Sequence, residues 1–387
     1  MLTSMAAACR LIEIWGSPRD RGLRYGAAAE PEIRRGVKHY LDQMGASGLS
    51  EASVAELAEA YVPRIADFDA DHVEEMRGIA EGADVPFAHI LLLNARTELL
   101  KMAGNPALRR GLLAERGADG CTTIIVQPER TPDGTLIHAH NWDWKASCVE
   151  TCVVLRVRGG NGPDILTFTE AGTLGRFGFN TAGIAVTGNY LECERDYTQI
   201  GVPLALIRRK VLQQDNPSLA FDAIYSTAKS ASNNLALSHA GTGIVHDLEC
   251  APDETFVVEP GDGVLVHSNH WLSPVALAKL RETGISGSPC SFWRDQRARR
   301  LLAASPVIGM EEVRAVLLDD AGSPLSICAP PRASSFTGIS ATVASILMRP
   351  ALGEMEIAMM PSQGADYRRY DLSSGAAAAR PRQAADA

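Results

Sequence analysis

Apolar residues recur at three- and four-residue intervals through "EASVAELAEAYVPRIADFD", "DHVEEMRGIAEGADV" and "PFAHILLLNARTELLKM", the spacing of helices that each bury one face. Residues 28–119 therefore read mainly as helix, with Pro86 suited to a helical first turn. The stretch "GNPALRRGLLAERGADG" loses the period, gathers glycine and charge, and reads as an exposed linker ending at Gly120. From Cys121 the period shortens. "CTTIIVQPERTPDGTLIHAHNWDW" reads as strand, turn, strand, with Pro132-Asp133-Gly134 supplying the turn chemistry. Short strands follow in "CVVLRVRG", "DILTFTEAG" and "TAGIAVTGN". The helices "PLALIRRKVLQQ" and "NPSLAFDAIYSTAKS" come next, the second with Asn216 as N-cap and Pro217 at its first position. Strands return in "GTGIVHDLEC", "ETFVVEP" and "GVLVHSN". Helical pieces occupy 292–304 and 310–318, and "ATVASILMRP" with "EMEIAMM" form a closing hairpin. The tail 374–387, "SGAAAARPRQAADA", has little to bury and reads as disordered. Helices first, then many short strands around a helix pair, imply an α+β protein whose strands are mostly antiparallel and covered by helices.

Composition narrows the function classes. The 387 residues suffice for one large domain or two ordinary ones. A formal charge of −9 with no offsetting basic stripe excludes a nucleic-acid binder. No apolar run approaches the ~20 residues needed to cross a bilayer. The N-terminus lacks a basic region followed by a long apolar one, so no signal peptide is read and a cytoplasmic protein is expected, starting at Met1 or Met5. Eight cysteines at 9, 121, 148, 152, 193, 250, 290 and 328 contain no CxxC and do not resemble a disulfide framework. Most read as small buried hydrophobes. Cys148 with Cys152, and the pairs His138/His140 and His267/His270, hint at metal ligation. No third ligand stands at a diagnostic spacing, so no metal is expected.

One cysteine is placed differently. Gly120–Cys121 opens an apolar, β-branched run, and Cys121 can be packing, a metal ligand, a redox thiol or a nucleophile. As a nucleophile it needs a base. His138, His140, His239, His246, His267 and His270 are candidates, none in a local motif that favours it. Cutting the Gly120–Cys121 bond supplies another base, the freed α-amine of Cys121, whose ordinary pKa is about 7.7–8.0. A glycine before the cut lets a thiol approach its carbonyl closely. "NWD" ends the second strand of the hairpin that Cys121 begins, so cross-strand pairing returns Asp143 to Cys121, where a carboxylate can hold an ammonium. Asn180 sits in a glycine-flanked turn, Asn269 at a strand end, and Ser291 and Arg294 at a helix start. Amide and guanidinium donors are what acyl transfer requires, although a turn Asn or a capping Ser explains each alone. Trp142, Phe177, Phe179 and Trp271 are candidates for an apolar acyl pocket and equally for plain core.

Taken in order, "GSPRDRGLRYG", "EEMRGIAEGADVP", "LNARTEL", "DGCTT", "NWDW", "GFNTAGIAV", "SNNLALSHAGTG", "HSNHWL", "SFWRDQR", "PLSIC" and "TVASILMRP" resemble the acyl-coenzyme A:6-aminopenicillanic acid acyltransferase family, the self-cleaving cysteine group of N-terminal-nucleophile hydrolases. The resemblance runs from about residue 10 to 372. It implies a four-layer αββα sandwich made as a precursor. Residues 1–120 would be cut from 121–387 yet stay associated with them, and assembly into a higher oligomer is compatible with it. It also implies that Cys121 is the nucleophile, Thr123 a residue that assists processing and Asp143 the aspartate beside the nucleophile. Asn269 would be the oxyanion amide, Asn180 a second pocket amide, Arg294 the arginine near the thiol and Ser291 a neighbour of it. His140 stands where some relatives carry Arg and is a candidate substrate contact, as are Trp142, Phe177 and Ser291. The implied activity is cleavage or formation of a small-molecule N-acyl amide through an acyl-cysteine, or acyl transfer to an amine from a CoA thioester; a metal-dependent hydrolase using the His pairs and a non-catalytic binding relative are the remoter alternatives. No cofactor is implied, CoA entering only as part of a substrate.

Overall fold

Strand β2 (Cys121–Val126) is buried along its whole length, so its residues alternate between two cores rather than between core and solvent. Ile125 packs with Ala236 and Val245, whereas Ile124 and Val126 pack with Ala298, Leu302 and Val313. A strand covered on both faces has no polar side to show, and the unbroken run "CTTIIV" follows from this. The computed structural model describes residues 9–102, 120–160, 162–334 and 338–373. The linker up to Asp119 and the tail from Ser374 lie outside the described residues.

Two sheets lie between helices. The first, of eight strands, runs in the order β1 (Arg10–Ile14), β4 (Cys152–Val157), β5 (Ile165–Glu170), β6 (Phe177–Asn180), β7 (Ile184–Tyr190), β8 (Asn233–His239), β9 (Ile244–Cys250), β10 (Thr255–Val258). The second, of seven, runs β11 (Val264–His267), β2, β3 (Ile137–Lys145), β13 (Gly338–Arg349), β14 (Glu354–Met359), β15 (Arg368–Asp371), with β12 (Arg332–Ser334) on β13. Helices α8 (Leu204–Leu212) and α9 (Pro217–Tyr225) pack on the first sheet, beside an N-terminal helical group that includes α2 (Glu30–Ala46) and α6 (Phe87–Asn94). Helices α11 (Cys290–Ala303) and α12 (Met310–Leu317) cover the outer face of the second. The fold is therefore the four-layer αββα sandwich, and every pairing but one is antiparallel. The exception is β1 beside β4.

The periodicity located most elements. Asn216 caps α9, its Oδ1 accepting from the N–H groups of Ser218 and Leu219, with Pro217 at the first position. The closing hairpin is β13 and β14. Strand β1 and helix α1 (Pro18–Ala28) precede the residue at which the helical reading began, and the reason is visible in α1. Its buried residues are Gly22, Tyr25 and Gly26, and a face made of glycine has no hydrophobic period. A Cβ on Gly22 would lie 2.1 Å from the Glu75 carbonyl, one on Gly26 2.3 Å from that of Ile79, and one on Gly78 2.3 Å from that of Arg19. Helix α5 (Ala70–Gly82) thus meets α1 backbone to backbone, which only small residues at four-residue spacing permit. Buried Glu75 ties the pair to the layer beneath, taking Arg21 from α1 and Arg209 from α8.

Among the described residues no helix is long and apolar enough to cross a membrane, and no three His, Cys, Asp or Glu side chains gather as a metal-holding group. None of the eight cysteines is in a disulfide, and the Cys152 thiol donates to the Cys148 carbonyl.

Gly78→Ala is expected to lower stability in denaturant unfolding by about 3 kcal/mol, because the added methyl meets backbone that cannot move aside. Gly45→Ala, where a Cβ meets nothing within 4 Å, should instead raise it by about 0.5–1 kcal/mol through helix propensity.

Candidate active site

Cys121 is the first residue of β2, opposite Trp142 in β3. Its backbone N–H donates to Asn269 Oδ1 at 2.6 Å. The carbonyl before it, that of Gly120, accepts from the Asp143 N–H at 2.8 Å. The peptide bond expected to be cut therefore has its nitrogen held by one partner and its oxygen by another. Gly120 is required where it stands, since a Cβ there would lie 2.5 Å from Asp143 Oδ2.

The orientation of the Asn269 amide follows from chemistry. Arg294 can only donate, and its Nη2 lies 2.9 Å from Oδ1. The Tyr190 carbonyl can only accept, and it lies 3.0 Å from Nδ2. Asn269 thus offers its oxygen to the Cys121 nitrogen and keeps one amide hydrogen beyond the Tyr190 bond. Arg294, almost wholly buried on the outer face of the sheet, also donates to the Cys121 carbonyl and to Thr122 Oγ1. Ser291 is buried in the first turn of α11. Its hydroxyl accepts from the Asn269 N–H at 2.7 Å and bonds His270 Nδ1 at 2.7 Å. The expectation that Ser291 contacts substrate is corrected: it fixes the loop that carries Asn269.

Asp143 pairs with Thr342 across β13, and the Thr342 hydroxyl donates to Oδ1 at 2.6 Å. Burial pushes its carboxyl up to about 6, against the pull of Arg332 and Arg294.

Thr123 is the hub of a buried polar chain. The Asn189 amide gives its two hydrogens to the carbonyls of His267 and Ser268, so its Oδ1 must accept, and Thr123 Oγ1 donates to it at 2.6 Å. His140 Nδ1, 2.9 Å from the same hydroxyl, is then the protonated ring nitrogen. Desolvation keeps this histidine neutral, well below its usual range. Thr123 thereby anchors, through Asn189, the segment leading to Asn269. His140 is fully buried beneath Phe177, with ring centroids 4.2 Å apart, and does not line the cavity. Its expected contact with substrate is corrected to support of Thr123. His138 bonds Ser238 and Thr187, and His267 pairs with Glu249, so neither histidine pair converges as ligands.

Asn180 is also corrected. Its Nδ2 donates to the Leu212 and Gln214 carbonyls and its Oδ1 accepts from the Ala182 and Ile184 N–H groups. Every capacity of the amide is spent on backbone, two bonds within its own turn and two at the end of α8. Besides Asn269, the amides near Cys121 are Asn189 and Asn233, which line a cavity of about 50 Å³ with Cys121, Trp142 and Phe177. Phe179 lies in the main core and Trp271 packs on Phe256, away from it. The cavity is less apolar than its aromatics suggest. Arg176 lies over Trp142 at 4.4 Å and Arg208 over Phe177 at 5.5 Å, and Arg96 completes the wall. A signal for Arg208 was present: it falls four residues from both Leu204 and Leu212, on a helical face that is otherwise core.

A cysteine heading an inner strand of an αββα sandwich, its nitrogen held by a side-chain amide, defines an enzyme of the N-terminal-nucleophile hydrolase class. Residues 130–361 match the family described as "Acyl-coenzyme A:6-aminopenicillanic acid acyl-transferase". The 40 kDa form of acyl-coenzyme A:6-aminopenicillanic-acid-acyltransferase from Emericella nidulans is 30% identical over 319 residues, covering 81% of this chain and 82% of that protein. The chain belongs to this family. Solved structures similar to it include a mutant conjugated bile acid hydrolase from Clostridium perfringens (13% identity, TM-score 0.46, 65% of this chain and 92% of that one). Another is a Caenorhabditis elegans N-acylethanolamine-hydrolyzing acid amidase ortholog (17%, TM-score 0.42, 60% and 94%).

Asp143 makes stability pH-dependent. A carboxyl raised from its ordinary value near 3.9 to about 6 favours the fold while protonated. Its contribution is complete below pH about 4 and is lost as pH rises through about 6, a change of roughly 3 kcal/mol. Asp143→Asn should remove that decline, so that thermal unfolding between pH 4 and 8 varies less than in the wild type.

Proposed function

We propose that the protein is a self-processing cysteine amidohydrolase that cleaves a small-molecule N-acyl amide through an acyl-cysteine. The observation that carries this reading is the double hold on the Gly120–Cys121 peptide, oxygen on the Asp143 N–H and nitrogen on Asn269 Oδ1.

In the first stage the Cys121 thiol adds to the Gly120 carbonyl carbon, and the Asp143 N–H donates to the oxygen as charge develops. The carbon–nitrogen bond breaks, the nitrogen takes up the thiol's proton, and a thioester remains. Water hydrolyses it, leaving Gly120 as a carboxylate and Cys121 as the N-terminus of a 267-residue fragment of the 387-residue chain. In the second stage the freed amine, held by Asn269 Oδ1 and faced by Asp143, takes the thiol proton as sulfur attacks a substrate carbonyl. The second hydrogen of Asn269 Nδ2 serves the oxyanion, a kind of contact commonly worth about 10²–10³-fold. Collapse expels the amine, and water releases the acid. No step needs a cofactor.

The family and the name of the Emericella relative support a second outcome of the same acyl-cysteine, transfer of an acyl group from a CoA thioester to an amine. The choice rests on whether the pocket admits water or an amine once the acyl group is bound.

Purified wild-type protein should give two masses, and N-terminal sequencing should find Cys121 leading the larger. Cys121→Ala should give one uncut chain with no activity against a panel of N-acyl amides and acyl-CoAs. A single intact mass for an active wild type, or two bands from Cys121→Ala, would defeat the scheme.

A further inference from the structure

The cavity at Cys121 has a polar feature that the chemistry above does not use. Arg208 is only 8% exposed, its Nε has no hydrogen-bond partner, and no carboxylate stands within ion-pair distance of its guanidinium among the described residues. A Cβ on Gly188 would lie 2.9 Å from its Nη2, so a glycine in β7 makes the room in which the group sits. Asn233, wholly buried in the same wall, has neither amide atom hydrogen-bonded. It starts β8 directly opposite Tyr190, one residue beyond Asn189. The surrounding charge does not neutralise Arg208. Arg96 and Arg176 both pair with Glu170. Burial pulls the Arg208 guanidinium down to about 9, with Arg176 and Arg96 acting the same way and Glu98 and the Cys121 sulfur against them, so it stays charged at neutral pH. Cations outnumber firmly ionised carboxylates at the cavity.

A buried guanidinium and a buried amide, both unpartnered and both facing one small cavity, need a ligand that accepts from each. We infer that Arg208 and Asn233 form an anion subsite that selects a substrate bearing a carboxylate beside its scissile acyl bond. The two carboxylate oxygens match the fork of a guanidinium, and Asn233 Nδ2 supplies a third donor. The cavity of about 50 Å³ has room for this planar group and a short stem. A neutral analogue would leave the cation buried and unpaired, the situation in which a polar site discriminates most strongly. The carboxylate can belong to the acyl side or the amine side of the substrate. The inference rests on the proposed acyl-cysteine reaction for that substrate, but its binding readout does not.

The test is protection of Cys121 from iodoacetamide, followed by peptide mass mapping of the purified wild-type protein in butyrate or in isosteric, neutral butyramide. Butyrate should slow modification of Cys121 by about tenfold or more while butyramide changes it less than about twofold. In Arg208→Met that difference should vanish, and in Arg208→Lys, which keeps charge without the fork, it should be partial. Comparing each variant with and without butyrate cancels any change in thiol reactivity. Arg208→Met should also melt at a higher temperature than the wild type, because an unpaired buried cation is gone. Equal protection by butyrate and butyramide, butyrate protection that survives in Arg208→Met, or a fall in melting temperature would overturn the subsite. Butyrate-specific protection in a protein that hydrolyses no amide would instead sink the proposed reaction and leave the subsite standing.

Discussion

The hydrogen bond from the Cys121 nitrogen to Asn269 Oδ1 is the constraint on which the site depends. It joins the start of β2 to the segment after β11, and three other groups decide that it forms. Arg294 forces the amide oxygen toward Cys121, the Tyr190 carbonyl takes the nitrogen end, and Ser291 fixes the backbone. Behind these stands Thr123, two residues along β2 on the same face as Cys121, which reaches the same segment through Asn189. One strand therefore carries both the reacting residue and the anchor of its partner, so a shift of β2 moves them together. Such mutual bracing is what holds a catalytic constellation at its working geometry.

The electrostatics of the site run against those of the chain. The protein carries a formal charge of −9, yet Cys121 lies between Arg294 on one face of its sheet and Arg96, Arg176 and Arg208 on the other. Net charge speaks to solubility and to non-specific partners, and it excluded nucleic acid on those grounds. It carries no information about the charges that line one cavity. The aromatic residues belong to the same arrangement. Trp142 and Phe177, which suggest an apolar acyl pocket when read along the chain, serve as faces for guanidinium groups.

This contrast explains how much of the molecule could be read from its sequence. Periodicity reported the helices with leucine and isoleucine faces and the strands with two covered sides, because burial of apolar area leaves a period. It was silent on α1, whose packing face is glycine, and on β1, a short edge strand whose parallel partner lies far along the chain. The backbone-level part of the site was legible through adjacency: Gly120, Cys121 and Asp143 are brought together by one hairpin. Asn180 misled for the opposite reason. A glycine-flanked asparagine is the same in sequence whether its amide closes its own turn or faces a cleft, and only the four hydrogen bonds to its own loop and to the end of α8 distinguish them. Asn189 and Asn233 come from strands separated by two helices, so no local pattern joins them to Cys121.

The N-terminal helical segment has a consequence for the proposed cut. Arg96 of that segment lines the cavity and pairs with Glu170 from β5. Tyr40 donates to Glu170 and receives the Trp144 indole N–H. Glu98 accepts from the Leu204 N–H at the start of α8, and Glu75 takes Arg209 from the same helix. These are buried, charge-assisted contacts between residues on either side of Gly120, and breaking the 120–121 bond breaks none of them. The apolar faces of the same helices share one core with β4, β5 and α8, so separation would expose that core to water. On the proposed scheme the first fragment is then not a leader to be discarded but one wall of the pocket, held by the helix that carries Arg208. Processing frees an amine while leaving in place the charged groups that face the substrate, which is why a single covalent event can activate the site without rebuilding it.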